Sequence, residues 1–331
     1  MSSKQLAAYR VAAAVASALP EGGACSLGRA VGRAIGALPD FDGRRAVVAS
    51  HMARVAGRPL LPREARSLVR EVFANYGRYW AESLRLPVLP PAEVAAGIVT
   101  LGQEHVDAAL AGGKGVVVAA PHLGGWEWGA FHLVLSGIPV TVAVEPLEPA
   151  EVFEWFASFR RRLGMNVVPV GPDAGAAIIR ALASNNVVCL LSDRLVGRAA
   201  GVGVDFFGSK LSLPAGPVTL ALRTGAPLVP AAIYYGRAAG SHTLVFRPPL
   251  DLEGPPGTGT FRERVRCGTQ QLARELEALI EAAPAQWHLV QPNWPDDPPL
   301  HAARSWLRSM PGAFRPADAL GDRQPKPGEG G

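Results

Sequence analysis

His122 and Glu127 stand five positions apart in Pro121-His122-Leu123-Gly124-Gly125-Trp126-Glu127. An imidazole beside a carboxylate can move a proton, the acid fixing the ring tautomer and stabilising the imidazolium that forms. That would make His122 a general base. The same two residues also admit a structural reading, in which His122 closes a strand and Glu127 occupies the first turn of a helix, where the helix dipole favours a carboxylate. On the pair alone both readings stand.

The elements that would position this pair are legible on either side of it. Residues 116–120 (Val-Val-Val-Ala-Ala) have the small and β-branched character of a strand covered on both faces, as in a parallel sheet. Pro121 cannot join a hydrogen-bond ladder, so the strand ends there and leaves His122 at its C-terminal edge, where open α/β sheets bind ligands. Gly124 and Gly125 permit a turn into an apolar helix over 126–135. Further strands are expected at 140–144, 166–170, 187–191, 228–234 and 244–247, with helices at 105–110, 151–163, 174–183, 218–223 and 261–281. This alternation predicts an α/β fold with a central, mostly parallel sheet flanked by helices. Parallel strands would bring Glu145 and Ser192-Asp193-Arg194 to the same sheet edge as His122.

Ahead of the sheet, residues 1–91 predict an N-terminal helical block. Residues 6–19 and 27–38 form two helices separated by Gly22-Gly23, and Pro59 and Pro62 divide an arginine-rich helical pattern over 40–86. The first helix, interrupted by Arg10, is too short to span a bilayer; it either packs on the core or lies on a membrane surface. The core is expected over 92–300, in one domain with the helical segment. Residues 311–331, rich in Gly, Pro and charge, are expected to be disordered. No internal repeat is present.

Composition narrows the chemistry. The 331 residues are 48% apolar and 18% charged, with a net charge of +5, which suits an anionic membrane surface or an anionic substrate. No zinc-finger spacing, aromatic ribonucleoprotein motif or lysine run points to nucleic acid. Cys25, Cys189 and Cys267 are odd in number and widely separated, so neither a disulfide framework nor a metal site is expected. There is no P-loop, dinucleotide fingerprint or Gly-x-Ser-x-Gly elbow. A His/Glu pair without an enzyme nucleophile suits direct attack of a bound hydroxyl on an activated acyl group.

Pro121-His122-Leu123-Gly124-Gly125-Trp126-Glu127 resembles the His-x4-Asp/Glu motif of the lysophospholipid acyltransferase superfamily. It is most similar to the branch that holds bacterial lipid A late acyltransferases and actinobacterial phosphatidylinositol mannoside acyltransferases. The likeness continues through Val144-Glu145-Pro146, Phe159-Arg160, Ser192-Asp193-Arg194, Asp205-Phe206-Phe207-Gly208, Leu213-Pro214-Ala215-Gly216-Pro217, Thr224-Gly225-Ala226-Pro227 and Trp287-His288, and covers roughly residues 1–300.

The resemblance implies that His122 deprotonates the acceptor hydroxyl while Glu127 holds its ring. It implies substrate-binding roles for Trp126, Glu145, Arg160, Asp193, Arg194 and Asp205, with no metal and no bound cofactor. It further implies acyl-CoA, palmitoyl-CoA above all, as co-substrate, and a peripheral location on the cytoplasmic face of the cell membrane. The weak N-terminal segment and the Ala/Gly/Arg-rich composition favour the mannoside branch, hence a mannosylated phosphatidylinositol or similar glycolipid as acceptor. A lipid A-type acceptor is the alternative within the class; a hydrolase and a non-catalytic lipid-binding protein on the same fold are alternatives outside it. The chain departs from the family pattern at Gly203, where an acidic residue is common, and Asp205 is the expected substitute.

Overall fold

The structure is a computed structural model and describes residues 2–146, 148–197, 200–253 and 259–300. The tail expected over 311–331 lies outside these residues.

Helices open the chain: α1 (Ser2–Ala18), α2 (Glu21–Gly36), α3 (Asp42–Val55) and α4 (Pro62–Arg85). The longest, α4, is amphipathic and buries Val69, Val72 and Phe73 on one stripe. Gly22-Gly23 lie inside α2, so they do not separate two helices as expected. The glycines of α2 serve its crossing with α4 instead. A Cβ at Gly32 would lie 2.1 Å from the Phe73 carbonyl oxygen, so only glycine lets the two backbones approach this closely. None of the described helices is long and apolar enough to cross a membrane.

A short helix, α5 (Pro91–Ala96), leads into alternating elements: β1 (Ile98–Leu101), α6 (Gln103–Ala111), β2 (Val116–Ala120), α7 (Trp126–Leu135), β3 (Val140–Val144), α8 (Ala150–Arg162), β4 (Asn166–Pro169), α9 (Ala174–Ala183) and β5 (Val187–Leu191). A hairpin of β6 (Gly201–Phe206) and β7 (Ser209–Pro214) follows, then α10 (Gly216–Thr224), β8 (Leu228–Tyr235), β9 (His242–Phe246) and α11 (Phe261–Glu281). Among the described residues the main sheet has seven strands in the order β1-β9-β8-β2-β5-β3-β4, parallel except where β9 runs against β8. The α/β architecture with its helical block is therefore the one the alternation predicts.

The central strand β2 alternates as a two-sided strand must. Val117 and Ala119 join an apolar cluster with α3, α4, α10 and α11, while Val116 and Val118 join one beneath α6, α7 and α8. Helix α5, the edge strand β1 and the β6–β7 hairpin were not expected. β1 is a four-residue edge strand with Val99 60% exposed, and it has no periodicity to mark it. β6 and β7 occupy the stretch that holds Gly203 and Asp205. Their register pairs Phe206 with Ser209, leaving Phe207 and Gly208, both at positive φ, as the two-residue turn that matches strand twist.

Candidate active site

His122 follows β2 by two residues, and Asp193 follows the neighbouring β5 by two. Ala120 pairs with Leu191 in the parallel ladder, so the register carries the two side chains to the same point on the sheet edge. There the His122 Nδ1–H donates to Asp193 Oδ1 at 2.6 Å, and the His122 backbone N–H donates to Oδ2 at 2.9 Å. The Trp287 indole N–H also donates to Oδ2, at 2.7 Å. Burial pushes the Asp193 carboxyl up, but the adjacent His122 and the donated hydrogen bonds outweigh it and hold the group below the usual carboxylate range. Asp193 is fully buried, whereas the His122 side chain is 22% exposed. With Nδ1 engaged, Nε2 is the ring nitrogen left for a reacting group.

The turn that follows is shaped by Gly124, at φ +62°. A Cβ there would stand 1.7 Å from the Ile233 carbonyl oxygen, so the loop can lie against β8 only with glycine. An antiparallel contact secures it from the far end of the chain: Gly124 N–H donates to the Gln286 carbonyl and His288 N–H to the His122 carbonyl. The His288 ring adds a third bond, Nε2–H to the Gly124 carbonyl at 3.2 Å. Burial lowers the pKa of His288 to about 3, so its ring is neutral; Nδ1 is buried with no hydrogen-bond partner among the described residues.

Glu127 does not steady the imidazole. It lies in the first turn of α7, one residue after Trp126, whose ring stands edge-on to His122 with centroids 5.7 Å apart. Successive helical residues point about 100° apart, so Glu127 turns from the site of Trp126 toward α4 and α8. It accepts a hydrogen bond from Tyr79 Oη at 3.3 Å and pairs with the Arg160 guanidinium. Asp193 occupies the place expected of Glu127.

A second ion pair, Arg194 to Glu145 at 2.7 Å, joins the ends of β5 and β3. Glu145 thus pairs with Arg194, while Arg160 pairs with Glu127. The Arg194 Nε is buried without a partner among the described residues.

These groups surround a cavity of about 310 Å³. Its polar end carries His122, Trp126, Glu127, Arg160, Arg194 and His288, and Glu145 also lines it. Its apolar part runs between the sheet and α7, against Val118, Ala130, Leu133, Ile233, Leu244 and Phe246. Asp193 stands behind His122. Asp205 is not brought to the site: it lies in the β6–β7 hairpin, 60% exposed and paired with Lys210 at 2.7 Å. Tyr79 and the polar use of Trp287 and His288 were not foreseen. Trp287-His288 drew notice only as a dipeptide within the family likeness, and Tyr79 is one aromatic among several on the apolar stripe of α4.

Comparison with known proteins gives the family. Residues 5–295 match the family model described as bacterial lipid A biosynthesis acyltransferase. The chain is 35% identical to a phosphatidylinositol mannoside acyltransferase of Mycolicibacterium smegmatis, over 74% of this chain and 77% of the relative. It is 36% identical to one from Mycobacterium tuberculosis strain H37Rv, over 71% and 72% respectively. A lipid A biosynthesis acyltransferase of Haemophilus influenzae is 24% identical over 56% of each chain.

Proposed function

The chain belongs to the bacterial lipid A biosynthesis acyltransferase family and is an acyltransferase, and on that premise we propose that it moves a long acyl group from acyl-CoA to a mannose hydroxyl of a phosphatidylinositol mannoside. The observation that carries the reading is an imidazole with one nitrogen held by a buried aspartate at 2.6 Å, in a ring that lines an apolar cavity.

His122 Nε2 takes the proton of the acceptor hydroxyl as its oxygen attacks the thioester carbonyl carbon. Asp193 holds Nδ1–H and stabilises the imidazolium. When the tetrahedral intermediate collapses, the C–S bond breaks and the imidazolium proton passes to the departing thiolate of coenzyme A. The apolar part of the cavity takes the acyl chain, a role supported by Ala130, Leu133 and Phe246 along its walls. Arg194, with a buried Nε that has no partner among the described residues, supplies the cation for an anionic group of either substrate. Glu127 keeps Arg160 in place, and Trp126 closes the cavity beside the base. Asp205 has no role in this scheme.

The mannoside acceptor is favoured by the names of the relatives at 35% and 36% identity. A peripheral position on the membrane is supported by apolar side chains on the outer faces of α1 and α2, and the cytoplasmic face follows from the proposed acyl-CoA donor. Val11 is 63% exposed, and Val15, Leu27, Val31 and Ile35 are exposed beside Arg10 and Arg33. The test is transfer of label from radiolabelled palmitoyl-CoA by the purified protein, with mannosylated phosphatidylinositol, with a lipid A precursor, and with no acceptor. Label is expected on the mannolipid and lost in His122→Ala. Label on the lipid A precursor alone would replace the acceptor, and free palmitate without acceptor would make the protein a hydrolase.

A further inference from the structure

We propose that a second buried histidine–aspartate pair, His51 with Asp297, positions Asp193 by locking the segment 287–297 beneath it. The inference rests on the reading of His122 and Asp193 as the proton-transfer pair. Both side chains of the second pair are fully buried, and His51 Nε2 lies 2.8 Å from Asp297 Oδ2. The other ring nitrogen faces the Leu289 carbonyl at 3.1 Å. Asp297 is itself fully used. Its Oδ2 accepts the backbone N–H groups of Asn293 and Trp294 at 2.7 and 2.9 Å, and its Oδ1 accepts Ser50 Oγ at 3.2 Å. Arg54 stands 3.8 Å away.

The turn tied down in this way reaches Asp193 by two routes. Asn293 Nδ2–H donates to the Asp193 backbone carbonyl at 2.9 Å. Trp287, whose ring stacks on His51 with centroids 5.3 Å apart, donates to Asp193 Oδ2 at 2.7 Å. With Oδ2 held by the indole, Oδ1 is presented to His122. A carboxylate free to rotate would present its oxygens indiscriminately, and orientation of reacting groups is worth orders of magnitude in rate. His51 belongs to α3, so the helical block sets the geometry of a site at the sheet edge. His51 and Asp297 are positioning residues, because neither lines the cavity.

The test uses His51→Phe, which keeps a ring against Trp287 and Trp294 but removes both polar contacts, and Asn293→Ala, which leaves the His51–Asp297 pair intact. Each is assayed for kcat and KM with palmitoyl-CoA, for thermal midpoint, and for the Trp287 indole N–H resonance, which reports its bond to Asp193. Both variants are expected to lower kcat about tenfold or more with KM unchanged, and the indole proton is expected to move upfield in His51→Phe. A His51→Phe protein with a lowered midpoint but wild-type kcat and indole resonance would make the pair a packing element and overturn the proposal. Where His51→Phe does not fold, Asn293→Ala decides, and unaltered kcat there overturns it equally. Undiminished turnover in His122→Ala would overturn the underlying site reading, and the indole resonance distinguishes that failure because it needs no turnover.

Discussion

His122 and His242 each face a buried carboxylate, yet the two regions are built for different ends. His122 meets Asp193 at 2.6 Å and His242 meets Glu82 at 3.0 Å. The second ring nitrogen separates them. His242 Nδ1 faces the Gly240 carbonyl at 3.2 Å, and the ring is fully buried, stacked on Trp128 with centroids 4.3 Å apart. Glu82 is saturated as well, accepting from Arg78 Nε at 2.7 Å and Cys25 Sγ at 3.1 Å, so the cluster ties α2 and α4 to β9. His122 instead turns its ring to the cavity. On the proposed function, an imidazole–carboxylate pair is a brace when both nitrogens are satisfied and a proton-transfer device when one is left for substrate.

The comparison breaks most sharply through the two acids. Asp193→Asn is expected to cut kcat by roughly a thousandfold, since an amide cannot hold the productive tautomer, with little change in the unfolding midpoint; steady-state assays check it. Glu82→Gln is expected to do the reverse. Removing one partner of a sealed charge cluster should lower the unfolding free energy by about 3 kcal/mol, read by urea denaturation, while kcat per folded molecule stays at the wild-type value. Comparable losses of turnover in both variants would erase the distinction between device and brace.

A pH experiment sharpens it. His288, pushed down to about 3 by burial, protonates far more readily in the unfolded chain than in the folded one. Its contribution to stability is therefore complete above the ordinary histidine pKa and is lost as pH falls toward 3. Between pH 6.5 and pH 5 the loss should be about 2 kcal/mol. Urea midpoints at pH 7 and pH 5 should diverge in the wild type and converge in His288→Gln; divergence of the same size in the variant would assign the effect to other groups. The smallest effect is expected for Glu127→Gln. It removes the partner of Arg160 but leaves His122 and Asp193 untouched, so kcat should fall only about tenfold, the scale typical of losing a supporting contact. A loss as deep as that of Asp193→Asn would restore Glu127 as the partner of the base.

Much of this molecule is written locally. The run Val116 to Ala120 can only be a covered strand, Pro121 ends it, and Gly124 opens the turn, so the placement of His122 at a sheet edge follows from residue types. The edge strand β1 and the β6–β7 hairpin were not legible, for opposite reasons. β1 is too short and too exposed to show a period, and β6 is built on Gly201 and Gly203, poor strand formers that pairing with β7 overrides. Asp205 shows the same limit: the chemistry of its side chain is visible in the sequence, but its exposure and its pairing with Lys210 are not.

What the sequence determined by itself is which groups arrive at strand ends: an imidazole after β2, a carboxylate after β3, and an aspartate and an arginine after β5. Local periodicity and turn chemistry decide that much. Which of the acids meets the imidazole was decided only by tertiary structure. β5 inserts between β2 and β3, and its register with β2 sets Asp193 opposite His122 across 71 residues of chain. Glu127, close in sequence, is carried away by the 100° step of a helix. Strand order depends on how helices pack across both faces of the sheet, and no short stretch of residues encodes it.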